Sequence, residues 1–108
     1  MADLILILTT MPDDNRADEL AKTLVGEGLA ACVNVLPPMV SFYRWQGTIA
    51  RDSERQLVIK TTRDRLAALE QRIGALHKYD LPEFLVLPVV DAGAAYAAWV
   101  RAEGGSGG

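Results

Sequence analysis

The stretch from Ala30 to Thr62 constrains the fold more than any other part of the chain. It opens Ala-Ala-Cys-Val-Asn-Val-Leu-Pro-Pro-Met-Val-Ser-Phe-Tyr-Arg-Trp-Gln-Gly-Thr-Ile-Ala, passes a polar corner at Arg51-Asp52-Ser53-Glu54, and ends Arg-Gln-Leu-Val-Ile-Lys-Thr-Thr. β-Branched and aromatic residues bounded by turn formers predict a long β-hairpin. A tight turn at Gln46-Gly47 would leave only Thr48-Ile49-Ala50 before the polar corner. The turn is therefore placed at Arg51–Glu54, and Gly47 is read as a bulge or kink within the strand. Val40–Arg51 would then reach about 40 Å, roughly twice the span of the first strand, Leu4–Thr9. Half of such a hairpin overhangs any sheet that 108 residues can build. Phe42, Tyr43 and Trp45 lie near the overhang and are expected to bury themselves on another copy of the chain.

A chain of this length, half of it hydrophobic, carries one core, and residues 1–103 are expected to form a single domain. The charge is mixed, with a net of −3, and no basic run or aromatic-basic alternation marks a nucleic-acid surface. No apolar run reaches the length of a membrane span. Leu4–Leu8 is too short for a signal peptide and lacks a basic flank. A single cysteine excludes an internal disulfide and suits a cytoplasmic protein. Residues 104–108, Gly-Gly-Ser-Gly-Gly, have the composition of an appended flexible linker and are left out of the fold.

Leu4–Thr9 is a continuous apolar run, as in a strand at the centre of a sheet. Pro12-Asp13-Asp14-Asn15 supplies N-cap oxygens. Ala17, Leu20, Ala21, Leu24 and Val25 then recur on one helical face, and Gly28 is placed as a left-handed stop. Pro37-Pro38 interrupts the hairpin and belongs at an edge or bend. Thr61-Thr62-Arg63-Asp64 opens a second helix with Leu66, Leu69, Ile73 and Leu76 on its apolar side and His77 at its end. Glu83–Leu87, closed by Pro88, is a last strand. Ala94–Ala102 is a terminal helix with Tyr96, Trp99 and Val100 on one side. The order βαββαβ plus a C-terminal helix predicts an α+β, ferredoxin-like sandwich: a four-stranded antiparallel sheet with the first two helices on one face.

Leu29-Ala30-Ala31-Cys32-Val33-Asn34, Ser41-Phe42-Tyr43-Arg44-Trp45-Gln46-Gly47, Glu54, Lys60-Thr61-Thr62 and His77-Lys78-Tyr79-Asp80-Leu81-Pro82-Glu83 resemble, in order and spacing, the CutA family of divalent-cation-tolerance proteins. The resemblance runs from Leu4 to about Trp99. It implies a homotrimer with interlocking hairpins that binds divalent metals, copper foremost. The chain departs from the common pattern at Lys78, where Pro is usual, at Asp80, where Glu is usual, and at Pro38, where Gly is frequent. Lys78 would place a cation beside His77 and weaken a metal site there.

The candidate metal ligands are Cys32, His77 and Glu83, the first two being the only thiol and imidazole in the chain. A lone thiolate needs further ligands, and a neighbouring chain could supply them. The bland alternatives are a buried inert thiol and a helix-end histidine that complements the macrodipole. Trp45, Lys60 and Tyr79 are expected to line the same cleft. Lys60, beside Thr61-Thr62, could instead help hold an anion at a helix start, and Lys60 with Glu54 could be mere surface ion pairs. Met11 and Met39 read as packing fillers. With one histidine, no Cys-x-x-Cys, no phosphate loop and no HExxH, no catalytic constellation is present, and the chain is not expected to be an enzyme. The expectation is weak copper binding by a homotrimer. The rivals are a trimeric PII-like sensor of small ligands or anions and a trimerising scaffold without a metal role.

Overall fold

The computed structural model describes residues 3–77 and 79–103; Lys78 and the Gly/Ser tail lie outside the described residues. The elements are β1 (Leu4–Pro12), α1 (Asn15–Gly26), β2 (Cys32–Val35), β3 (Met39–Trp45), β4 (Thr48–Thr62), a single 3₁₀ turn (Arg63–Arg65), α2 (Leu66–Leu76), β5 (Leu85–Pro88) and α3 (Ala94–Glu103). They build an antiparallel sheet in the order β2-β4-β1-β5, with β3 pairing β4 beyond the end of β2. This is the expected ferredoxin-like plan, with one strand broken in two at Pro37-Pro38. Neither proline can donate to a ladder, so the outer strand pauses there and resumes at Met39.

The hairpin turn is not where the sequence argument put it. Trp45 pairs with Thr48, and the chain reverses over Gln46 and Gly47, at φ of 50° and 83°. Two consecutive positive φ values make a two-residue turn whose twist matches that of the strands it joins. Thr48 Oγ1 donates to Trp45 O at 3.1 Å. Arg51–Glu54, expected as the corner, is instead strand: Arg51 faces Phe42, Asp52 faces Ser41, and Glu54 faces Met39. The polarity of Arg51, Asp52 and Ser53 reflects solvation of the overhang, whereas Glu54 is buried. The Tyr43 hydroxyl donates to Asp52, and the Arg51 guanidinium sits 5.8 Å from the Phe42 ring centre. Smaller differences follow the same logic. β1 continues past Thr9 to Pro12 because β4 is long enough to pair with it as far as Glu54, and β5 begins at Leu85 rather than Glu83.

Alternation along β1 and β4 gives the sheet two unlike faces. Ile5, Ile7, Leu57 and Ile59 point to one side, where they join Ala17, Leu20 and Leu24 of α1 and Leu69 and Ile73 of α2 in the buried core. Asp14 caps α1 by accepting from Arg16 N at 2.9 Å, and Gly28, at φ 72°, turns the chain out of it. A paired bond from Arg72 to Glu27, at 2.7 and 2.9 Å, ties α2 to the end of α1. α3 packs on the other face through Ala97 and Val100, and Lys60 extends toward its Tyr96, 6.0 Å from the ring centre. That face is only partly covered: Leu85 and Leu87 of β5 are exposed. The hairpin projects beyond the rest of the sheet and gives the molecule extents of 45 × 25 × 24 Å.

Candidate functional site between the hairpin and the segment after helix α2

Every second residue of the β3–β4 ribbon points to the face opposite the main core: Met39, Ser41, Tyr43 and Trp45 on one strand, with Glu54 and Gln56 on the other. The segment Tyr79–Glu83 crosses in front of them, and a cavity of about 680 Å³ lies between.

His77 holds that segment in place. Its backbone N–H closes α2 by donating to Ile73 O at 2.8 Å. Its ring then spans two further backbone groups: Tyr79 N donates to Nδ1 at 3.1 Å, and Nε2 lies 2.6 Å from Thr10 O. An unprotonated Nδ1 places the proton on Nε2, which donates to the carbonyl. The Tyr79 ring stacks obliquely on the imidazole, with centres 4.7 Å apart. At the other end, Gln56 Nε2 is shared between Thr9 O at 2.7 Å and Glu83 Oε2 at 2.8 Å. Burial first, and then the hydrogen bond to the Glu54 carboxylate, push the Tyr79 hydroxyl well above the usual phenol range. Tyr43, bonded to Asp52, is raised for the latter reason. Both phenols therefore stay protonated and serve as donors.

Of the expected site residues, Trp45, Tyr79 and Glu83 line this cavity, and His77 stands behind Tyr79. Cys32 and Lys60 do not come near it. They face each other across β2 and β4, four residues beyond Gln56, which is about 13 Å along a strand. The Cys32 thiol accepts a long contact from the Asn34 amide at 3.9 Å. Lys60 is turned toward α3, so the expected grouping of Lys60 with Tyr79 is not formed within one chain. Tyr43 and Phe42 also border the cavity, although strand alternation leaves Phe42 largely exposed and directed away from Tyr43 and Trp45. Glu54, Gln56, Met39 and Asp80 also line the cavity; the sequence reading did not assign them to it. A turn at Gln46-Gly47 was the signal that would have found Glu54 and Gln56, since it fixes which residues share a face with Trp45.

The sequence profile of the CutA1 divalent ion tolerance protein family matches residues 5–103. The chain belongs to that family. The divalent-cation tolerance protein CutA of Thermus thermophilus is 43% identical over 96 residues, covering 89% of this chain and 93% of the relative. The CutA structure from Synechococcus elongatus superposes with a TM-score of 0.90 at 46% identity, covering 96% of this chain and 92% of that one. CutA from Xylella fastidiosa gives 0.90 at 43% identity, covering 94% and 98%. The family description raises the question of whether one CutA chain can hold a divalent ion. Among the described residues, no three His, Cys, Asp or Glu side chains come close enough together to do so. Both nitrogens of His77 are engaged. A single chain therefore offers the carboxylates of Glu54, Asp80 and Glu83 along the cavity wall and leaves its thiol elsewhere.

Proposed function

We propose that the chain works as a cytoplasmic homotrimer that binds divalent cations weakly, copper before others, at clefts between subunits and without catalytic turnover. The observation that carries this reading is the overhanging hairpin. Phe42, Tyr43 and Trp45 are 67%, 40% and 39% exposed there, next to a cavity walled by carboxylates. Each such ring buries about 150–250 Å² when covered, and a closed cyclic assembly also protects the free edge of β3. Glu83 is the donor best placed in the cleft. Cys32 would have to come from a neighbouring subunit, and His77 would have to release Tyr79 N before Nδ1 could ligate. Both requirements make binding weak. Copper leads because it heads the order of affinities for mixed N, O and S donors. The PII-like anion sensor is disfavoured by the three carboxylates lining the cavity.

Light scattering and copper titration test this together. The expected mass is three times 11.7 kDa, and Glu83→Gln, Cys32→Ser and His77→Ala should each weaken copper binding. A monomeric mass, or copper bound equally by all four proteins, overturns the proposal.

A further inference from the structure

We draw no further inference here: the strongest candidate, the exposed apolar surface of Leu85 and Leu87 on β5 with Tyr96 and Trp99 on α3, has nothing in the structure to show what covers it beyond the further copies of the chain already proposed.

Discussion

His77 gathers three backbone groups around one residue, and two of them belong to segments far apart in the chain: Thr10 at the end of β1 and Tyr79 at the start of the cavity wall. Its first role is to aim that wall. His77→Ala should therefore destabilise the fold by about 1–3 kcal/mol, the cost of leaving such partners unmet, and should raise amide exchange in 79–83 before it changes exchange in β4. Asp14 acts at the same scale. Hydrogen bonds from the Arg16 side chain and backbone hold its carboxyl down to about 2, against an ordinary 3.8. A depressed folded value means that the cap stabilises fully above about pH 4 and loses its effect as pH falls toward 2. Thermal unfolding should show Asp14→Ala less stable than wild type at pH 6, with the gap closing by pH 2. Asp14 was readable from sequence because a cap acts on residues beside it. Glu54 was not: its cover is Tyr79, which reaches it from beyond α2, and no local pattern announces that meeting.

At the scale of elements, the two-residue turn shows why local polarity misled. Arg51–Glu54 looks like a corner because four polar residues interrupt an apolar strand. Over Arg51–Ser53, however, both sides of the overhang are exposed, a strand there has no need to alternate, and cross-strand partners such as Tyr43–Asp52 satisfy it. The backbone demand falls instead on Gln46 and Gly47. The helix α1, the stretch that holds its cap, its Gly28 stop and the order of the elements along the chain were all legible, since each rests on short-range spacing. Two glycines make the backbone argument testable. A Cβ at Gly47 or at Gly74 would meet no atom within 4 Å, so packing does not separate them. Gly47→Ala, at φ 83°, should cost about 1–2 kcal/mol, while Gly74→Ala inside α2 should gain about 0.5–1 kcal/mol. Urea unfolding at one fixed protein concentration measures both.

The whole molecule presents an unfinished surface. Leu85 and Leu87 on the sheet, Phe42 and Ile49 on the hairpin, and Tyr96 with Trp99 on α3 are all exposed large hydrophobics. Phe42→Asp is expected to lower the assembly state seen by light scattering while leaving the far-UV circular dichroism of the chain intact. An unchanged mass would remove Phe42 from the interface. The fifteen residues of β4 also carry a consequence for how the chain reaches this state. β4 serves as the common partner of β1, β2 and β3. Its turn end zips against β3 across two intervening residues, whereas its far end must wait for Leu4 to find Thr62. Closing that long loop costs chain entropy before any contact repays it. The overhang is thus the part of the sheet able to form earliest, and the first strand synthesised is among the last to be placed.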